Sequence, residues 1–435
     1  MINEFKELND DWVECTLGAV CDVNMGQSPP SSTYNTDKIG LPFFQGKAEF
    51  TELYPVVRKW CSQPKRTAKK GDILLSVRAP VGSTNIADQD CAIGRGLAAI
   101  SWSMSNSYIW YYLKSINQKL DSQGTGTTFK AISGNILKSQ IFPLPPLAIQ
   151  RAIVSKIETL FSDLDNGISN LKKVQEQLKI YRQAVLKKAF EGEFSSNIGK
   201  KNRNIIQLGD VIDKPKYGTS KKCSENSHGV AVLRIPNIGL GFINTEVLKY
   251  AEFDSNEIST LALKEGDILT IRSNGSIDLV GKCAVITKDD TKYLYAGYLI
   301  RLRPNHSKIN SKYLLHCLKS HELRIQIESK AKSTSGVNNI NSKELQSLNI
   351  PIFPLKEQHK IVREIESRLS VCDKIEESIA EALEKAEALR QSILKKAFEG
   401  KLLSKAEIEA CKQDADYEPA SELLKKINKD KLKKS

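Results

Sequence analysis

The sequence predicts an α+β protein. Two tandem globular α/β domains are joined by two long helices that form an antiparallel coiled coil, as a pseudo-twofold internal repeat. Three observations carry this. The heptapeptide LKKAFEG occurs at residues 186–192 and again at 394–400, 208 positions later. The segment before each copy keeps that offset without a gap back to Pro143 and Pro351, with 20 identities over 50 positions. Farther upstream, short motifs return at slipping offsets, so the helical segments stay in register while the domains before them have diverged in length.

A chain of 435 residues exceeds one ordinary domain. The repeat divides it into a first domain (1–145), a first helical spacer (146–194), a polar linker (195–204), a second domain (205–353), a second helical spacer (354–400) and a charged tail with a short helix (401–435). No run approaches the ~18–20 apolar residues that cross a bilayer. The opening residues MINEFKELNDDW lack the apolar core of a signal peptide. A cytoplasmic chain with no membrane partner is expected.

The spacers read as helices because their apolar residues step by three and four. In the first they fall at Ile153, Ile157, Leu160, Leu164, Leu171, Val174, Leu178, Tyr181 and Val185. In the second they fall at Ile361, Ile365, Cys372, Ile375, Ile379, Ala382, Ala386, Leu389 and Ile393, with Arg368 interrupting. Sustained over about four heptads, this is a coiled-coil seam, and two such stripes in one chain most simply bury each other. Gly192 and Gly400 fit the helix ends. About 38 residues of helix would make a rod of roughly 57 Å.

The globular segments mix strands and helices. Gly71-Asp-Ile-Leu74 returns as Gly266-Asp-Ile-Leu269, and each reads as turn, short strand and polar loop. Leu17-Gly18-x-Val20 returns as Leu208-Gly209-x-Val211. Further strands are expected at 97–100, 281–286 and 298–302, and helices at 107–118 and 311–327. In the tail, Pro419 sits at the first turn of a short helix whose apolar face is expected to dock on the N-terminal region.

Several classes of chemistry lack their signatures. The nine cysteines include no C-x-x-C pair, and His316 and His321 are spaced i, i+5 on different helix faces, so neither a zinc site nor a disulfide framework is expected. There is no G-x-x-x-x-G-K-[ST] phosphate loop, no G-x-S-x-G elbow, and no Asn/Asp-Pro-Pro-aromatic tetrapeptide of the kind that clamps a flipped base. The glycine pairs Gly94/Gly96, Gly124/Gly126 and Gly239/Gly241 read as turns. A net charge of +13 favours a polyanionic partner, although +5 of it lies in the last eleven residues. The chain reads as a binder, not a catalyst.

Taken together, these signatures resemble type I restriction-modification specificity (S) subunits. They are two variable domains each opening on Leu-Gly-x-Val, a Gly-Asp-Ile-Leu strand, a P-x-x-P-L-x-x-Q helix start, and a long helix ending KKAFEG. Phe44-Gln-Gly-Lys47, Gly94-Arg-Gly-Leu97 and the GTGTT stretch at 124–128 also look like that family's target-recognition domains, and the likeness spans residues 12–424. The first copy reads Pro-Leu-Ala-Ile-Gln-Arg where the second keeps Pro-Leu-Lys-Glu-Gln-His, and GTGTT is replaced by Ser-Thr-Ser-Gly-Val at 333–337. The two halves are therefore not expected to make identical backbone contacts.

The resemblance implies that each domain reads one half of an asymmetric, split site in double-stranded DNA, with the helices setting the gap. It implies two methylation (M) subunits and then restriction/motor (R) subunits as partners. No cofactor would bind this chain; AdoMet, ATP and Mg²⁺ would sit on those partners. Base readout needs Arg, Lys, Asn or Gln presented to base edges, while hydroxyls and lysines hold phosphates. The candidates in the first domain are Gln45, Lys47, Arg78, Arg95, Thr127 and Thr128. In the second they are Lys216, Tyr217, Thr219, Arg234, Asn237, Arg272 and Asn274. Arg78 and Arg272 rank first and are expected to be counterparts, on the reading that both follow the repeated strand by the same interval. Two other classes stay open: a self-sufficient DNA methyltransferase or nuclease with an unrecognised active site, and a coiled-coil protein scaffold.

Overall fold

A computed structural model describes residues 11–102, 104–126, 130–195, 201–225, 228–334 and 336–434. It divides into two compact units: unit 1, Met1–Asn170 with Glu381–Ser435, and unit 2, Leu171–Ala380. The helical spacers are single helices, Leu147–Glu191 and Leu355–Phe398, and each belongs partly to one unit and partly to the other.

Unit 1 is built on an antiparallel four-stranded sheet in the order Asp22–Met25, Leu97–Ser101, Ile73–Ser76, Thr84–Ile86. A second sheet of five short strands contains one parallel pair, Leu41–Phe44 beside Cys91–Ile93. Unit 2 repeats the first sheet as Lys216–Tyr217, Leu299–Leu302, Ile268–Ile271, Cys283–Val285. It also repeats the parallel pair, as Val230–Leu233 beside Leu294–Tyr295. A two-stranded ribbon closes the base of each unit, Val13–Thr16 with Ile141–Leu144 and Asn204–Gln207 with Asn349–Ile352.

The repeated motifs are explained by these folds. Leu17 and Leu208 are fully buried, and their N–H groups donate to Gln140 O and Leu348 O, both at 2.8 Å. Gly71 and Gly266 take φ of +89° and +86°, a conformation that favours glycine. The aspartates that follow close the same turn, accepting from Lys69 N–H at 2.8 Å and from Lys264 N–H at 2.7 Å. Gln150 and Gln358 are buried and donate to the carbonyls of Pro145 (2.8 Å) and Phe353 (2.7 Å) at the helix starts. These residues hold the scaffold together.

Within each unit the two long helices run antiparallel. In unit 1, Ile149, Ile153 and Ile157 share a core with Ile393, Leu394, Ala397 and Phe398. The Phe398 ring packs on Tyr108 and Tyr112, with centroids 5.1 and 5.5 Å away. Arg390 lies over Phe161 and pairs with Asp165. In unit 2, Val185, Leu186, Ala189 and Phe190 share a core with Ile361, Val362 and Ile365. Phe190 meets Tyr313 edge-on at 5.5 Å, and Arg182 pairs with Asp373 at 2.6 Å and Glu376 at 3.0 Å. Each LKKAFEG helix end is therefore a plug in the core of the other domain, not of the one it follows in sequence. Both helices stop at a glycine with positive φ, and the N–H groups of Glu193 and Lys401 bond back to Lys188 O and Lys396 O.

Several details differ from expectation. The apolar stripes are not covered along their whole length: Val174, Tyr181, Ile375 and Leu389 are exposed. Periodicity marks a face, and says nothing of what covers each position. Residues 311–327 form two helices, Ser311–Lys319 and His321–Lys330, because Ser320 is extended and its hydroxyl caps the second one. The segment 107–118 likewise divides into Asn106–Ser115 and Asn117–Ser122. The closing helix Ala420–Lys434 docks in unit 1 as expected. Ala420, Leu423 and Ile427 enter the core, and Lys431 Nζ donates to Gly18 O and Cys21 O at 2.8 and 2.9 Å.

Truncating a buried phenylalanine removes about 3–5 kcal/mol. Phe190→Ala is expected to raise amide hydrogen exchange across residues 205–353 while leaving 12–142 near its starting level, and Phe398→Ala to do the reverse. Exchange rising in the preceding domain instead would refute the plug assignment.

Candidate nucleic-acid interface

In both units the candidate site lies where the parallel strand pair ends. In unit 1, Phe44 O accepts from Gly94 N–H at 2.8 Å, and Gln45 follows as an exposed residue. Three chain segments then meet backbone to backbone. A Cβ on Gly96 would lie 2.3 Å from Gln45 O, and one on Gly26 would lie 2.2 Å from Gly94 O. Real Cβ atoms do not approach that closely, so the glycines in Gly94-Arg95-Gly96 are there for packing. The side chains of Gln45 and Arg95 leave the junction, and both are exposed, as is Gln27 beside Gly26. Gln45 and Lys47 line an open hollow of about 630 Å³ with Ala79 and Pro80, and exposed Arg78 adjoins it in sequence. Thr127 and Thr128 lie outside the described residues.

Unit 2 builds the same junction from different residues. Leu233 O accepts from Ala296 N–H at 2.9 Å, and Arg234 follows. A Cβ on Gly218 would lie 2.2 Å from Tyr295 O. Thr219 N–H donates to Tyr295 O at 2.9 Å, and Gly297 N–H donates to Thr219 O at 2.7 Å. A cavity of about 620 Å³ brings together Thr219, Arg234 and Arg272 with Lys221, Lys249 and Tyr298. The Arg272 guanidinium lies over the Tyr217 ring, 4.6 Å from its centroid, and donates to Asn339 Oδ1 at 3.2 Å. The Tyr217 hydroxyl in turn accepts from Ser342 N–H at 3.0 Å.

The lysines of this cavity are partly spent. Lys221 pairs with Glu257 at 2.6 Å and holds that carboxyl below the usual carboxylate range, helped by the Asp254 N–H. Lys249 stands 3.5 Å from Glu225. Arg234 donates one terminal nitrogen to Val247 O at 3.3 Å, while its buried Nε has no partner among the described residues. Burial pushes the Tyr295 phenol up to about 12, so that ring stays neutral behind the site. The charge this cavity offers an anion is therefore chiefly that of its two arginines.

Two expectations change. Asn237 is 2% exposed, its amide oxygen accepting from Arg234 N–H at 2.8 Å and its nitrogen donating to Asn244 O and Val247 O, both at 2.9 Å. It closes a loop and presents nothing outward. Arg78 and Arg272 are not counterparts: Val77 N–H bonds Gly96 O as Arg272 N–H bonds Tyr298 O, so Arg272 matches Val77 and Arg78 matches Ser273. One residue of offset in extended chain sends a side chain to the opposite face. Of the remaining candidates, Lys216 is half-buried in an edge strand, and Asn274 Oδ1 accepts from Ser276 N–H at 2.9 Å within a turn. Sequence reading missed Lys221, Lys249 and Tyr298. Tyr298 stands just before the strand Leu299–Leu302, 64% exposed and on the cavity wall, and nothing in its sequence neighbourhood marks it. Among the described residues no group of three His, Cys, Asp or Glu is placed to hold a metal ion, and no helix is long and apolar enough to cross a membrane.

A duplicated α/β scaffold that offers an open hollow edged by charged side chains at the end of the parallel strand pair in each copy has the form of a two-headed binding protein. Comparison with known proteins gives the family. The model of the type I restriction modification DNA specificity domain matches twice, over residues 9–173 and 200–385, and the chain belongs to that family. It is 28% identical over 400 residues to the type I restriction enzyme StySPI specificity subunit of Salmonella potsdam, covering 88% of this chain and 85% of that one. With the EcoKI specificity subunit of Escherichia coli K12 it shares 27% over 404 residues, at the same coverages. The putative MjaX specificity subunit of Methanocaldococcus jannaschii is 39% identical over 196 residues, 44% of this chain and 45% of that one. Two solved chains share the fold. One, from work on assembly and conformational transition of the type I R-M system, has a TM-score of 0.70 at 22% identity, covering 91% of this chain and all of that one. The HsdS subunit of Thermoanaerobacter tengcongensis has a TM-score of 0.57 at 21% identity, covering 92% of this chain and all of that one.

The junction geometry makes a direct prediction. Gly96→Ala and Gly218→Ala must push backbone carbonyls aside and are expected to cost about 1–3 kcal/mol each. At Gly46 a Cβ meets nothing within 4 Å, so Gly46→Ala is expected to stay within about 0.5 kcal/mol. Denaturant unfolding of the three variants checks this, and equal stability in all three would contradict it.

Proposed function

We propose that this chain reads DNA sequence for a type I restriction-modification complex, each unit recognising one half of an asymmetric, two-part site. The observation that carries the reading is one junction built twice with different side chains at its exit, Gln45 and Lys47 in one copy, Arg234 and Arg272 in the other. Equal scaffolds offering unequal donors read unequal half-sites. The net charge of +13 supports a polyanionic ligand. Exposed Lys47 in unit 1 and Arg272 in unit 2 serve the phosphates, and planar side chains reach base edges.

On this reading the long helices set the unread gap between the half-sites. The chain itself catalyses nothing. It recruits methylation subunits, two of them, and then restriction/motor subunits, and AdoMet, ATP and Mg²⁺ bind to those partners. It acts in the cytoplasm, where the DNA is.

Methylome sequencing of cells that co-express the chain with its methylation subunit tests this. A modified, asymmetric, two-part motif is expected, and it should vanish when either protein is omitted. Methylation by this chain alone would make it an enzyme and overturn the reading. So would an undivided motif.

A further inference from the structure

The two parallel strand pairs fix a residue-by-residue correspondence that the sequence does not show. Phe44 pairs with Ile93 as Leu233 pairs with Tyr295. The next bond agrees, Gly94 N–H to Phe44 O at 2.8 Å and Ala296 N–H to Leu233 O at 2.9 Å. So does the return strand, where Leu97 N–H bonds Gly94 O as Leu299 N–H bonds Ala296 O. The residue leaving the strand is therefore Gln45 in unit 1 and Arg234 in unit 2. No sequence offset links them: they stand 189 positions apart, against 191, 195 and 208 for the visible repeats.

Both residues are held by backbone. Gln45 is clasped by Gly94 and Gly96 and followed by a short turn, Lys47–Glu49, after the one additional residue Gly46. Arg234 opens the turn Ile235–Asn237, its N–H bound by the Asn237 side chain at 2.8 Å. The carboxamide of Gln45 has no hydrogen-bond partner among the described residues, and Arg234, with one terminal nitrogen donating to Val247 O at 3.3 Å, has its other terminal nitrogen unbonded among them. Each side chain borders its own unit's hollow.

Resting on the DNA-reading function proposed above, we infer that Gln45 and Arg234 are the equivalent base-reading positions of the two units, Gln45 reading an adenine in one half-site and Arg234 a guanine in the other. Gln and Arg share one property that lysine and the hydroxyl residues lack: a planar, two-pronged end. Gln offers one donor and one acceptor, the complement of adenine N7 and N6. Arg offers two donors, the complement of guanine N7 and O6. A neutral carboxamide brings no net charge to a phosphate, whereas its paired donor and acceptor match an adenine edge. A rigid exit point suits readout, because a bidentate contact discriminates only when its geometry is fixed.

The test exchanges the two side chains in the full chain, co-expressed with its methylation subunit and read by methylome sequencing. The unsubstituted chain comes first: if it gives no two-part motif, the functional reading fails whatever these residues do. Given a motif, Gln45→Arg is expected to change one position of one half-site from A to G. Arg234→Gln should change one position of the other half from G to A. Each preference should shift by about tenfold or more. Where an exchange abolishes methylation, Gln45→Ala and Arg234→Ala decide, by relaxing selectivity at that single position. A motif unchanged at every position, or altered in both halves by one substitution, overturns the inference.

Discussion

Each unit is completed by a helix end that sequence order assigns to the other domain. Phe398, at the far end of the chain, packs against Tyr108 and Tyr112 of the first domain, and Phe190 packs against Tyr313 of the second. The same ion pair accompanies both contacts: Arg390 with Asp165 in unit 1, Arg182 with Asp373 in unit 2. All four charged residues are repeat partners at the 208-residue offset. The ion pairs are half-exposed, and such pairs contribute about 0–1 kcal/mol. The buried phenylalanines contribute several times more, so the apolar plug carries the stability. A core that needs residues from two distant stretches of chain cannot let the helices drift, which explains why they keep their repeat while the domains have diverged.

Much of this was legible because a repeated residue here makes a repeated contact. The Leu-Gly-x-Val starts, the Gly-Asp-Ile-Leu turns, the glutamines at the helix starts and the glycines at the helix ends all do the same work twice. What escaped was whatever depends on a partner distant in sequence. The apolar period along the helices does not tell that Tyr181 and Leu389 are exposed. Nor does it tell which domain each helix end fills.

The site was legible in composition and not in register. Gln45, Lys47, Thr219, Arg234 and Arg272 do border the two hollows, but Arg78 and Arg272 share a sequence neighbourhood without sharing a place in the fold. At the constant 195-residue offset of the Gly-Asp-Ile-Leu strands the two arginines fall one position apart, and that is enough to do this, since successive side chains of extended chain face opposite ways. Asn237 failed for another reason. An asparagine beside a strand end serves as readily to close a turn as to meet a ligand, and here its amide is consumed by the loop. Tyr298 and the two cavity lysines come from three separate segments, and only the fold brings them together.

Two units built to one plan are proposed to read two separated half-sites. Hydroxyl-radical footprinting of the assembled methylation complex on a duplex carrying its motif tests it most directly. Two protected tracts matching the two halves are expected, with the bases between them replaceable without loss of binding. Protection of one half alone, or a gap whose base identity alters affinity as strongly as the half-sites do, would contradict it.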